Sequence, residues 1–161
     1  MQVQQLISQP PITCRPTDSL SDAARLLWDH DIGAIGVTDS DGKLAGILTD
    51  RDICMAAFTR GKPLDRILVS DCMADKVITC SADESVQSAE KKMREARVRR
   101  LPVTDAQGRM IGILSLNDLA REAQRQTGRA KPELSSIELT ETLAEICQPR
   151  TAAHTQPAPA A

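Results

Sequence analysis

The seven residues Gly46-Ile47-Leu48-Thr49-Asp50-Arg51-Asp52 recur in modified form as Gly112-Ile113-Leu114-Ser115-Leu116-Asn117-Asp118. Both stretches read glycine, two apolar residues, a hydroxyl, two variable positions and an aspartate. An apolar run ending in Thr or Ser, with an acid three residues on, reads as a strand running into a helix. At such a junction the first backbone N–H groups of the helix are unpaired and the helix dipole presents its positive end, which attracts phosphate. The Thr49 or Ser115 hydroxyl can donate to a phosphate oxygen. Asp52 or Asp118, one turn in, can accept from two ribose hydroxyls, and the glycine leaves room beside the strand for a flat base. The same residues have a plainer use. Thr49-x-x-Asp52 and Ser115-x-x-Asp118 are also capping boxes, in which side chain and backbone satisfy one another with no ligand. Duplication copies a cap as faithfully as a site, so recurrence alone does not choose.

Little else in the chain reads as chemistry. His30 and His154 have no second ligand at metal-like spacing, so no structural zinc is expected. No Ser/His/Asp or Cys/His arrangement can be assembled, and the chain does not read as an enzyme. Of the five cysteines, none forms a CxxC pair. Cys14 and Cys80 fall at matched positions and read as small buried apolar residues, with a redox pair as the alternative. Cys147 reads as exposed and available to pair between chains. With 20 basic and 22 acidic residues the charge nearly balances, which gives no field for a polyanion. Trp28 and Phe58 are the only aromatic residues, too few for a base-stacking platform, so nucleic acid is not an expected partner. No run is long enough to span a membrane. The first residues lack a basic region followed by an apolar one, so no secretory leader is expected and a cytoplasmic location with reduced thiols follows.

The elements that must position these residues come from an internal duplication. Residues 13–53 align with residues 79–119 at a constant offset of 66, and 12 of the 41 pairs are identical. Each copy predicts a short strand (residues 12–14 and 78–80), then a helix capped by Thr17 or Asp83. Apolar residues follow at helical spacing: Leu20, Ala23, Ala24 and Leu27 in one copy, Val86, Ala89, Met93 and Ala96 in the other. A second strand (34–38, 101–104), a turn at Asp39 to Gly42 or Asp105 to Gly108, and a third strand (43–48, 109–114) come next. A second helix runs to Gly61 and Pro63 in the first copy, and to Gly128 and Pro132 in the second. The expectation is an α+β protein of two βαββα units, residues 6–61 and 73–128, packed sheet to sheet about a pseudo-twofold axis. Residues 62–72 read as a packed connector. Residues 133–148 read as a helix with a Ser135/Glu138 capping box and Leu139, Leu143 and Ile146 on its apolar face, and residues 149–161 as a disordered tail. Trp28 aligns with Arg94 and is expected at the edge of the core or at a subunit interface.

The duplicated βαββα unit, the GILTDRD and GILSLND segments, VRRLPVTD at 98–105 and the lead-in Ser70-Asp71-Cys72-Met73 together resemble the cystathionine β-synthase (CBS) domain family. The likeness covers about residues 6–128. It implies a stand-alone CBS pair (a Bateman module) with two clefts between its domains, and a head-to-head or head-to-tail homodimer forming a flat disc of four domains. It further implies a regulatory role with no catalytic cofactor: binding of an adenine nucleotide (AMP, ADP or ATP) or S-adenosylmethionine, read by a separate effector protein. Carried over by position, Thr49, Asp50, Arg51 and Asp52 serve one cleft, and Ser115, Asn117 and Asp118 the other. Thr13 and Thr79 flank the adenine, Val37 and Val103 line the base pocket beside Pro102, and Arg99 and Arg100 stand where a basic residue reaches a phosphate. The copies differ, with Gly33-Ala34 opposite Arg99-Arg100 and Ile35-Gly36-Val37 opposite Leu101-Pro102-Val103, so at most one strong site per chain is expected. The alternative is a ligand-free interaction or oligomerisation protein, of a stress-related kind, whose motifs only cap helices.

Overall fold

The computed structural model describes residues 1–7, 10–128 and 132–149. Each copy builds a three-stranded sheet. In the first, β1 (Thr13–Cys14) lies parallel to β2 (Ala34–Thr38), which pairs antiparallel with β3 (Leu44–Thr49). In the second, β4 (Cys80–Ser81), β5 (Arg100–Thr104) and β6 (Met110–Ser115) repeat that order and register. A parallel β1–β2 pair needs a crossover, which α1 (Leu20–Asp29) supplies; α3 (Val86–Ala96) does the same for β4 and β5. Helices α2 (Asp50–Arg60) and α4 (Leu116–Arg125) follow the third strands directly. The α+β fold of two βαββα units therefore stands as the sequence implied.

Each hairpin is made by its turn chemistry. Asp39 Oδ1 accepts from the N–H groups of Asp41 and Lys43, both at 2.9 Å, and Gly42 takes φ +76°, a conformation only glycine adopts without strain. Asp105 and Gly108 repeat this with Gln107 and Arg109. The two hairpin tips then pair with one another: Leu44 N–H donates to Gly108 O at 3.1 Å and Met110 N–H to Gly42 O at 3.0 Å. This seam joins the two domains at equivalent residues, as a pseudo-twofold axis requires.

The second junction is an exchange. Val3 N–H donates to Glu84 O and Gln4 N–H to Ala82 O; in the other copy Val69 N–H donates to Asp18 O and Ser70 N–H to Pro16 O. Each lead-in turn (Val3–Gln5 and Val69–Asp71) thus packs on the domain that its own chain does not enter next. Val3 is fully buried in the second core, with Leu101, Leu114 and Leu119; Ile67 and Val69 are buried in the first, with Leu20, Ile35 and Leu48. This pairing also moves the helix caps. Residues 16 and 18 give their carbonyls to the lead-in, so α1 is capped by Ser19, whose Oγ accepts from Asp22 N–H, and α3 by Ser85; Thr17 and Asp83 are not the caps.

Helix α2 ends at Gly61 in the left-handed conformation, as the sequence predicts. Helix α4 stops earlier than Gly128, because Gln126 is buried and its Oε1 accepts from the N–H groups of Glu133 and Leu134, turning the chain back. Helix α5 (Ser136–Ile146) then lies across α3 and α4. Ser135 caps it through Ile137 N–H and not through a box with Glu138. Thr142 is its buried residue and bonds Glu90, whereas Leu143 is exposed. The expected tail, beyond Pro149, lies outside the described residues, as does His154.

Candidate functional site

At the start of α2, Asp52 Oδ2 accepts from Thr49 N–H at 2.9 Å and from the Thr49 hydroxyl at 2.7 Å, while Thr49 Oγ1 accepts from Asp52 N–H. Ser115 and Asp118 repeat the arrangement at the start of α4. Both motifs are complete capping boxes. They differ at the second carboxylate oxygen. Asp118 Oδ1 accepts from the Arg121 guanidinium, one turn on; Asp52 Oδ1 has no partner among the described residues, because Met55 stands where Arg121 does. Only the α2 start therefore keeps an acidic oxygen open for hydroxyl donors.

A cation from the other domain reaches the start of the same helix, beside Asp50. Arg100, half-buried at the start of β5, puts Nη2 2.8 Å from where a Cβ on Gly33 would sit, and Asp50 Oδ2 flanks that point at 3.2 Å. Gly33 is thus the space that admits the arginine. Arg100 has no ion pair or hydrogen bond with a described residue, and Asp50 brings a negative charge beside it. At the equivalent α4 corner, Arg99 stands in place of Gly33 and Ala34 in place of Arg100, so that arginine has no counterpart there. Sequence reasoning named Arg100 as a site residue and noted Gly33 only as the residue aligned with Arg99, not as the space that admits the arginine. Arg51 and Asn117 are exposed on the first turns of their helices, and Thr13 is half-buried on β1.

A cleft of about 250 Å³ between the domains is lined by Leu44, Ala45, Asp75, Val77, Thr79, Thr104 and Gly108. It contains Thr79 but neither Ser115 nor Asp118. Three readings are corrected. Val37 and Val103 have no exposed surface and lie in the two cores, so they cannot touch a ligand in a cleft; strand alternation turns Gly36 and Pro102 to the opposite face. The room beside Gly46 is taken by the Ala74 carbonyl and the Met73 side chain, and that beside Gly112 by Ile7, so these glycines admit the exchanged lead-ins and not a base. Trp28 is not at a core edge: it is 85% exposed.

Cys14 and Cys80 sit in different cores and do not form a pair, and burial pushes both thiols up to about 11, with Asp18 and Glu84 adding to the effect. They behave as small core residues. Cys54 and Cys147 are exposed. Among the described residues no cluster of His, Cys, Asp or Glu could hold a metal, and no helix is long and apolar enough to cross a membrane.

Comparison with known proteins gives this geometry its context. The family model described as "CBS domain" matches twice, at residues 3–58 and 69–125. The CBS domain-containing protein YhcV of Bacillus subtilis is 35% identical over 108 residues, 67% of this chain and 75% of its own. The CBS domain pair of protein MJ0100, solved with 5′-methylthioadenosine and S-adenosyl-L-methionine, superposes with a TM-score of 0.72 at 31% identity, covering 79% of this chain and 98% of that one. CBSX2, solved with AMP, gives 0.68 at 27% identity, covering 77% and 96%. The chain spans 55% of the length of the Methanopyrus kandleri protein MK0525 and 22% of the L-aspartate semialdehyde sulfurtransferase of Methanocaldococcus jannaschii, at 33% and 34% identity over 67% and 74% of this chain. With the family model matching most of its length in two successive copies, the chain belongs to the CBS domain family, as a tandem pair.

Proposed function

We propose that this CBS pair is a regulatory module of the cytoplasm, without catalytic activity, that senses adenine nucleotides and passes the signal to a separate effector protein by rearranging its domains or a homodimer. The observation that carries the reading is the α2 corner: an Asp52 oxygen open, among the described residues, for ribose hydroxyls, with the Arg100 guanidinium arriving from the other domain to meet a phosphate. A ligand held by both would tie the two domains together, and that differential contact is what a conformational signal needs. The relatives solved with AMP, and with S-adenosylmethionine and 5′-methylthioadenosine, support ligands of this class.

Calorimetric titration of AMP, ADP and ATP is expected to show one strong site per chain. Arg100→Ala should weaken nucleotide binding about tenfold or more, the loss of one charge-assisted contact, and leave S-adenosylmethionine, which has no phosphate, unaffected. Asp52→Ala should abolish the strong site, and Asp118→Ala should not. Two sites of equal affinity contradict the assignment to the α2 corner, and no heat with any adenine nucleotide removes the nucleotide reading.

A second reading rests on an observation of its own: both motifs already satisfy themselves as capping boxes. On that reading the chain is a ligand-free interaction protein. It predicts no thermal stabilisation by nucleotides or S-adenosylmethionine, where the first requires it.

A further inference from the structure

Glycine at position 36 leaves a space on the sheet face that looks toward the second domain, and a methionine from that domain lies in it. Ile35 and Val37 are buried in the first core, so Gly36 between them faces away from that core. A Cβ on Gly36 would overlap the Sδ and Cε atoms of Met110, and the atoms nearest to that point all belong to this one side chain. Thr13 on β1 stands in register beside Gly36, and two residues back along β2 Ala34 pairs with Thr49 of the α2 corner. Two residues of strand span about 7 Å, a reach that a nucleoside covers from its ribose to its base.

The duplication supplies the comparison. The equivalent of Gly36 in the second copy is Pro102, and the equivalent of Met110 in the first is Leu44. On that side of the seam the proline ring takes the space that glycine leaves. Leu44 and Thr104 are only partly buried there, and they line the cleft of about 250 Å³ beside Thr79. Their counterparts Met110 and Thr38 are buried. The backbone does not make this difference, since both hairpins carry the same register with a bulge at the same place, after Val37 and after Val103. Proline with leucine leaves one side open; glycine with methionine closes the other.

We infer that the Met110 side chain is a removable plug, lying over Gly36 and beside Thr13 in the slot that the planar base of a nucleotide held at the α2 corner would fill, so that the base enters only as Met110 withdraws. The residue type suits the task. Methionine is unbranched and has three rotatable bonds, so it can swing aside with the backbone in place, and its sulfur packs well against an aromatic ring. Once displaced it becomes a wall of the slot. Asp52 and Arg100 do not contact the plug's slot, so Met110 acts on the base and not on the ribose or the phosphate. A site whose open form is only partly populated binds more weakly by that fraction, so the plug sets the nucleotide level at which the corner fills. It regulates the α2 corner as a nucleotide site and therefore stands on that reading.

Titration of the full chain with AMP and with ribose 5-phosphate, which lacks the base, tests the plug. Met110→Leu keeps the volume and installs the residue of the open side, so the variant keeps the fold, which circular dichroism verifies. It should lower the AMP dissociation constant at least fivefold and leave that of ribose 5-phosphate unchanged. In the parent chain labelled with ¹³C at its methionine methyl groups, the Met110 signal should move on adding AMP and stay in place with ribose 5-phosphate, while that of Met93, fully buried in the second core, moves with neither. An AMP affinity that Met110→Leu does not raise, an equal change for both ligands, or a Met110 signal that AMP leaves in place overturns the plug. If neither ligand binds either chain, the nucleotide reading falls and takes the plug with it; the plug fails alone when both ligands bind and Met110→Leu treats them alike.

Discussion

At the scale of single residues, Gly46 and Gly112 look interchangeable in sequence and are not so in space. A Cβ at Gly46 would lie 2.8 Å from the Ala74 carbonyl oxygen, which is held in place by reciprocal hydrogen bonds between Ala74 and Ile47 at 3.0 and 2.9 Å. A Cβ at Gly112 would meet the Ile7 side chain, whose Cδ1 at 2.8 Å can rotate away and whose Cβ at 3.1 Å need give only by a few tenths of an ångström. Gly46→Ala should therefore destabilise the protein by about 1–3 kcal/mol, the range for forcing extra volume into a packed site, and Gly112→Ala by less. Urea midpoints of the two variants check the order; equal midpoints would mean that the lead-in yields as easily as a side chain. The same contacts explain why the base pocket was misplaced in sequence. A motif glycine announces close approach, but not by what, and the approaching atoms are remote in sequence: residues 73–74 for one copy, residue 7 for the other.

At the scale of elements, what the sequence showed depended on whether the determining contact was local. The span of β2 is legible because its five residues are small or apolar and Asp39 to Gly42 dictate the turn after it. The caps at Thr17 and Asp83 were not legible correctly, since exchanged lead-ins claim the preceding carbonyls and pass the cap to Ser19 and Ser85. The apolar face of α5 was read correctly at Leu139 and Ile146, which pack against the second core, but not at Leu143. The helix docks on a surface that includes Glu90, so a threonine, and not Leu143, is buried there. Burial under α5 raises the Glu90 carboxyl above its ordinary range; Glu138 and Glu141 raise it further, while the Thr142 hydroxyl and Arg94 oppose the rise. The docked state thus holds the proton more tightly than the undocked one. By linkage, docking is favoured at low pH and weakens as pH rises from the ordinary glutamate range through the raised value. Glu90→Gln keeps an acceptor for Thr142 and removes the charge. It should unfold at a higher temperature than the parent chain at neutral pH, with the difference closing in acid. A difference that is constant with pH would show that Glu90 is not the titrating group.

At the scale of the molecule, the exchange of lead-ins makes two domains into one cooperative unit. The first core is completed by Ile67 and Val69, which lead into the second domain, and the second core by Val3, which leads into the first. The hairpin tips add hydrogen bonds across the seam. Neither domain can open without withdrawing a buried residue from the other or breaking that seam. Val3→Ala removes two methyl groups from a fully buried position near the chain terminus, at a cost of about 2 kcal/mol. If the halves were independent, that cost would fall on the second domain alone. If they are coupled as the contacts require, it falls on both. Two buried thiols, one in each core, report the difference: Cys14 in the first and Cys80 in the second. Thiol labelling in mild denaturant, read site by site by mass spectrometry, should show Val3→Ala speeding the reaction of Cys14 and Cys80 by the same factor. Faster labelling of Cys80 with Cys14 unchanged would mean that the domains open separately, and that a ligand at the α2 corner has no rigid partner through which to pull.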